Sequence, residues 1–182
     1  MKSKTLIRHA TIDDSSLLTE LGASTFYETF AIDNSEENMS TYLAEAFNEE
    51  KQIAELSDSD CLVLLAETDG VACGYSMIWT GPVPDEVHGE DPIELVRLYV
   101  AKDVIGTGVG AALMQASIDE AARRGFKTLW LGVWENNHRA QTFYRKWGFE
   151  TVGTHVFQLG DDAQTDFVMQ RPIEEIRDEA AS

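Results

Sequence analysis

Two rhythms of apolar and polar positions run along this chain. Short apolar stretches rich in β-branched and aromatic residues predict strands: TLIRHA (5–10), CLVLLAE (61–67), VACGYSMIW (71–79), IELVRLYV (93–100), FKTLWLGVW (126–134), FETVGTHVFQL (149–159) and TDFVMQRP (165–172). Between them lie segments with apolar residues at helical spacing: LLTELGASTFYETF (17–30), NSEENMSTYLAEAF (34–47), EEKQIAEL (49–56), GVGAALMQASIDEAARRG (108–125) and HRAQTFYRKW (138–147). The punctuation agrees with these limits. Asp13, Asp14 and Ser35 sit in N-cap positions, and Gly125 and Gly148 follow helix ends. Thr68-Asp69-Gly70 reads as a hairpin turn and GPVPDEVHGEDP (81–92) as a loop. The order is strand, helices, three strands, helix, strand, helix, two strands. That predicts a mixed α/β fold of one domain over residues 1–173, followed by a tail over 174–182.

The helix beginning near residue 108 has an unusual entry. Gly106, Gly108 and Gly110 stand at alternate positions, leaving bare backbone where N–H groups at a helix start are free and the helix dipole favours negative charge. This is a phosphate site by its chemistry. A Walker A loop would end in Gly-Lys-Ser/Thr, but Ala111-Ala112 follow Gly110. Gly106, Gly108 and Ala111 satisfy the dinucleotide pattern G-x-G-x-x-A, yet five residues, 101–105, separate the preceding strand from the first glycine. Three strands also precede the unit. Coenzyme A is the remaining pyrophosphate ligand with this layout.

Here the chain resembles the GCN5-related N-acetyltransferases. Ile105-Gly106-Thr107-Gly108-Val109-Gly110 is similar to their pyrophosphate motif (Gln/Arg)-x-x-Gly-x-(Gly/Ala), with Ile105 replacing the usual Gln or Arg. Asn137, Ala140, Phe143, Tyr144, Gly148 and Phe149 match their second motif, Asn-x-x-Ala-x-x-(Phe/Leu)-Tyr-x-x-x-Gly-Phe. The segments TFYETFA, ENMSTYLAEAF, ELVRLYV, LGVWENN and GDDAQTDFVM further resemble PaiA-type bacterial spermidine/spermine acetyltransferases.

The resemblance implies a mostly antiparallel central sheet with splayed mid-sheet strands and helices on both faces. It implies direct transfer of acetyl from acetyl-CoA to a primary amine, most simply a polyamine. It assigns Leu98, Tyr99 and Val100 to the pantetheine arm, with the Leu98 N–H polarising the thioester carbonyl. Ile105 to Gly110 take the pyrophosphate, Asn137 orients the cofactor, and Tyr144 is the general acid, a phenol with an ordinary pKa near ~10. Thr25, Phe26, Tyr27, Glu28 and Phe30 would line the acceptor channel, with Tyr27, Glu28 and Glu94 binding substrate. For the general base two carboxylates stay open, Glu94 and Glu135, each on or beside a strand flanking the site. Two other readings stay open as well: a protein N-terminal or lysine acetyltransferase, and a non-catalytic coenzyme A-binding regulator, which Ile105 would favour.

Charge sharpens the acceptor question. The chain carries net −18, unevenly: −9 over residues 1–60, −6 over 61–100, +2 over 101–150 and −5 over 151–182. Only the glycine segment is not acidic, which suits an anionic cofactor there and a cationic acceptor elsewhere. Nucleic acid is disfavoured as a partner, since phosphate binding needs clustered Lys and Arg. Cys61 and Cys73 stand apart, without metal-ligand spacing. No metal is expected. No apolar run is long enough to span a bilayer and the N-terminus lacks a signal-type core, so a cytoplasmic protein is expected. A homodimer is left open.

Overall fold

The computed structural model describes residues 5–174; most of the expected tail, 175–182, lies outside the described residues. The strands are β1 (Thr5–His9), β2 (Cys61–Thr68), β3 (Val71–Trp79), β4 (Pro92–Val100), β5 (Thr128–Trp134), β6 (Glu150–Leu159) and β7 (Asp162–Pro172). The helices are α1 (Ser15–Phe30), α2 (Glu36–Ala46), α3 (Glu49–Ser57), α4 (Val109–Arg123) and α5 (His138–Lys146). The strands form one sheet in the order β1-β2-β3-β4-β5-β7-β6, antiparallel throughout except for β4 beside β5.

Both faces of the sheet are covered. Leu64 and Ala66 of β2 pack with Val109 and Leu113 of α4, whereas Val63 and Leu65 pack with Leu18 of α1. That two-sided burial is why CLVLL is continuously apolar instead of alternating. The β2–β3 turn is the expected tight one: Thr68 pairs with Val71, and Asp69 and Gly70 both have positive φ. Ser35 caps α2 by accepting the Asn38 N–H at 3.2 Å, and Asn48 caps α3 by accepting that of Lys51 at 2.9 Å.

The strand that matters most is β4. Its pairing with β3 steps from Leu95↔Ile78 to Arg97↔Met77, leaving Val96 as an extra residue. Such a bulge bends the strand. Its parallel ladder to β5 has only three rungs, Pro92↔Thr128, Ile93↔Leu129 and Glu94↔Trp130. Beyond Glu94 the two strands splay, and the β5-facing backbone of residues 95–100 has no strand partner.

The largest boundary shift from expectation is at β7. β7 begins at Asp162, three residues before the predicted start at Thr165. Asp162-Ala163-Gln164 carries little apolar signal, but the tight Gly160-Asp161 turn zips it against Phe157-Gln158-Leu159.

Candidate active site

The splay between β4 and β5 opens into a cavity of about 320 Å³. Glu94, Leu98, Tyr99 and Val100 line it from β4, and Asn137, Ala140 and Tyr144 from the start and inner face of α5. Positions 137, 140 and 144 fall on one side of a helix, so one placement of α5 delivers all three. The helix is held by its cap and by a buried tie. Asn137 Oδ1 accepts the Ala140 N–H at 3.2 Å, and the Gln141 amide donates to the carbonyls of Trp134 at 3.1 Å and Glu135 at 2.7 Å. Asn137 Oδ1 is therefore engaged in capping, and the residue itself lines the cavity.

Beside this opening lies the glycine entry. Gly106 and Gly108 have φ of +83° and +103°, a region costly for any residue with a Cβ. Gly110 has ordinary backbone, and a Cβ added there would meet nothing closer than Val100 Cγ2 at 3.6 Å. The fold demands glycine at 106 and 108 but not at 110. The helical ladder starts with Ala112 N–H donating to Gly108 O at 2.9 Å, so the N–H groups of Val109, Gly110 and Ala111 are free of it. The Val109 side chain is buried in the core, and only its backbone faces this entry. Thr107 Oγ1 donates to Val104 O at 2.7 Å, which shapes the loop, and Ile105 is exposed. Free amides at the N-terminus of a 15-residue helix and a cradle open at Gly110 fit a pyrophosphate, and the unpaired edge of β4 fits an amide-bearing arm.

The acceptor half of the cavity is walled by aromatic rings from four elements, α1, α2, β5 and β6. Phe26 stacks on Tyr42 at 4.5 Å, Tyr42 meets Phe157 at 5.5 Å, and Phe30 lies 6.1 Å from Trp134. On α1 the lining residues are Thr25, Phe26, Thr29 and Phe30. Tyr27 and Glu28 do not reach the cavity, which corrects the expectation for both: at 100° per residue they fall on the outer face of α1, and Tyr27 is 52% exposed. Glu135 is half-buried beyond the end of β5 and is not among the lining residues.

Glu94 is differently placed. It occupies the last rung before the splay, and burial pushes its carboxyl up to about 7, moderated by nearby His155. Burial pushes the Tyr144 phenol up to about 12, not the ordinary value near ~10. Arg97 also lines the cavity, but Glu55 neutralises it through contacts of 2.7 and 3.0 Å. Gly132, His155, Gln164 and Asp166 line the cavity without having been expected from the sequence. A signal for the hairpin members existed: counting outward from the turn pairs Leu159 with Asp162 and, four rungs on, His155 with Asp166.

Among the described residues no group of three or more His, Cys, Asp or Glu side chains is arranged to hold a metal. Cys61 and Cys73 are free and buried, and no described helix is long and apolar enough to cross a membrane.

A sheet splayed at its one parallel pair, a free helix N-terminus beside the splay and a tyrosine facing into it define an acyl-CoA-dependent acyltransferase. Residues 24–149 match the Acetyltransferase (GNAT) family. The chain belongs to that family and is an acetyl-CoA-dependent N-acetyltransferase. It is 32% identical over 153 residues to an uncharacterised N-acetyltransferase of Lactobacillus delbrueckii subsp. lactis, covering 84% of this chain and 88% of that one. Its fold is that of the PaiA N-acetyltransferase of Thermoplasma acidophilum, solved in complex with coenzyme A (TM-score 0.74, 24% identity, covering 93% and 99% of the two chains). The ribosomal-protein-alanine N-acetyltransferase of Brucella melitensis is 29% identical at a TM-score of 0.64, covering 92% of this chain and 99% of that one.

Proposed function

We propose that the chain acetylates a terminal amine of a polyamine such as spermidine. The carrying observation is the acceptor half of the cavity, where Phe26, Phe30, Tyr42 and Phe157 surround a space bearing the carboxylates of Glu94 and Asp166. Aromatic faces attract ammonium groups and cover methylene chains, and carboxylates take the charged ends. A second hollow, which shares Tyr42 and Arg97 with the first, adds Glu37, Glu45 and Asp161. An extended polycation has carboxylates to meet in both.

In this reading acetyl-CoA supplies the acetyl group as a thioester. The amides of Val109 and Gly110 hold the pyrophosphate, the open edge of Leu98, Tyr99 and Val100 holds the pantetheine arm, and Asn137 orients it. Ile105 adds no charge, so binding falls more heavily on backbone amides. Glu94 takes a proton from the acceptor ammonium. With a pKa near 7 it is about half ionised at neutral pH, where a general base works best. The Leu98 N–H stabilises the developing oxyanion. Tyr144 remains a hydroxyl over the ordinary pH range and donates its hydrogen to the departing sulfur.

A second reading is N-terminal acetylation of a protein beginning with alanine, the substrate in the name of the Brucella relative. Thiol release separates the two. Spermidine, spermine, an alanine-initiated peptide and butylamine are assayed at equal concentration. The polyamine reading expects the largest kcat/KM for spermidine or spermine; a preference for the peptide overturns it.

A further inference from the structure

His155 on β6 stands across from Asp166 on β7, with Nε2 3.6 Å from Asp166 Oδ2. The pair hangs over Gly132 of β5. A Cβ at 132 would lie 2.9 Å from His155 Nε2 and 3.3 Å from Asp166 Oδ2. Gly132 has no positive φ, so what calls for glycine there is the closeness of these two side chains. Two positions before Gly132 on the same face of β5 is Trp130, the rung partner of Glu94. His155, Asp166 and Glu94 thus share one face of the sheet and one cavity. The charged groups facing the imidazole are Asp166 from β7, Glu94 from β4 and Glu86 from loop 80–91, which packs on Gly153; Arg139 of α5 lines the same cavity.

We propose that His155 is a positioning residue for acceptor deprotonation, an imidazole anchored by Asp166 that keeps Glu94 ionised and takes from it the proton removed from the amine. This rests on the reading of Glu94 as the base. The acceptor ammonium loses a proton to the Glu94 carboxylate, breaking N–H and forming O–H. Through a water in the shared cavity the Glu94 carboxyl passes it to Nδ1 of His155, which is the basic nitrogen when Nε2 carries the hydrogen facing Asp166. The products of that step are a restored carboxylate and an imidazolium beside Asp166. The side chain is 32% exposed, so bulk water can take the proton onward. Asp166 raises the affinity of His155 for a proton and burial raises that of Glu94, so both groups take up a proton more readily than they do in water.

The signs are set by charge. An imidazolium lowers the pKa of Glu94, so removing it moves the acid limb of kcat/KM to higher pH. Replacing Asp166 lowers the pKa of His155, depopulates the imidazolium near neutrality and moves the limb the same way. A residue that only packs would lower kcat/KM equally at all pH values.

The test uses the full chain with H155Q, D166N and E94Q, checked for unchanged melting. kcat/KM against pH is read with spermidine and, in parallel, an alanine-initiated peptide, and the His155 ring is titrated by NMR in the free enzyme. In H155Q and D166N neutral-pH kcat/KM falls about fivefold, because a one-unit displacement of the limb lowers the ionised fraction of Glu94 from about half to about a tenth. In H155Q it recovers toward wild type at high pH; in D166N, which also removes a carboxylate from the acceptor space, only the limb position is compared, and KM for acetyl-CoA is unchanged in both. The ring pKa, above the ordinary value in wild type, falls in D166N and in E94Q. An unmoved limb in both variants with E94Q inactive overturns the relay alone. E94Q turning over at the wild-type rate overturns the base assignment and the relay with it. Turnover of the peptide but not spermidine removes the polyamine reading and leaves this test intact.

Discussion

Glu94 pairs with Trp130 on the last rung of the β4–β5 ladder, and the bulge at Val96 follows at once. A carboxylate at that point sits half-buried at the root of the splay, with the unpaired strand edge on one side and the aromatic acceptor space on the other. Its position explains both its raised pKa and the chemistry proposed for it.

Glu94→Gln keeps the shape and removes the proposed base. Loss of general-base catalysis lowers kcat/KM by about 10²–10⁴-fold. In the wild type, kcat/KM should rise with pH through about 7, because the proposed base acts in its ionised form and the free enzyme's pKa governs this parameter. The rise should be absent from the residual activity of the variant. A wild-type rise centred near the ordinary carboxylate range would remove Glu94 from the role.

The glycines separate fold from ligand. Gly106→Ala and Gly108→Ala each force a Cβ into left-handed backbone, at about 1–2 kcal/mol, and lower the melting temperature. Gly110→Val meets ordinary backbone and tolerable space, so its melting temperature stays near wild type while coenzyme A affinity drops. Calorimetric titration with coenzyme A gives the second quantity. A folded Gly110→Val with unchanged affinity contradicts pyrophosphate binding at this entry.

Tyr144→Phe removes one hydroxyl from a half-buried helix face. It should leave melting and coenzyme A affinity alone and reduce kcat by about 10²-fold or more, since donation to the departing sulfur occurs only in the transition state. The phenol is held up at about 12, so no basic limb below that value should belong to it. Single-turnover acetyl transfer at the wild-type rate in the variant would rule Tyr144 out as the donor.

Salt should discriminate between the two substrates. A polycation drawn by the acidic segments feels a field screened over about 8 Å at physiological ionic strength. KM for spermidine therefore rises with salt, while KM for acetyl-CoA, held by amides at close range, changes less. Butylamine serves as the monovalent control. Equal efficiency of butylamine and spermidine at low salt would leave the acidic surface with no part in recognition.

Much of this protein was legible without coordinates. The strands, the helices and their caps followed from local periods and local chemistry: Ser35 before Asn38, Asp69-Gly70 between two apolar runs, Gly148 after Trp147. The glycine-rich helix start and the face of α5 were legible for the same reason, since each lies within one turn or one helix. Outside that reach was anything set by two elements meeting. Of the α1 residues expected at the acceptor channel, Thr25, Phe26 and Phe30 line the cavity, while the rotation of α1 against the sheet brings Thr29 inward and turns Tyr27 and Glu28 away. Glu94 and Glu135 were equivalent as carboxylates near strand ends; only the rung at Trp130 and the bulge at Val96 buried one of them at the splay. His155 and Asp166 lie eleven residues apart and meet because a tight turn sets their register, and they reach the site because Gly132, on a third strand, has no side chain to hold them off. Local sequence determines which backbone groups are free and which faces are apolar. Distance and desolvation arise only between elements, and here the tertiary structure decides that Glu94 is the carboxylate buried at the splay.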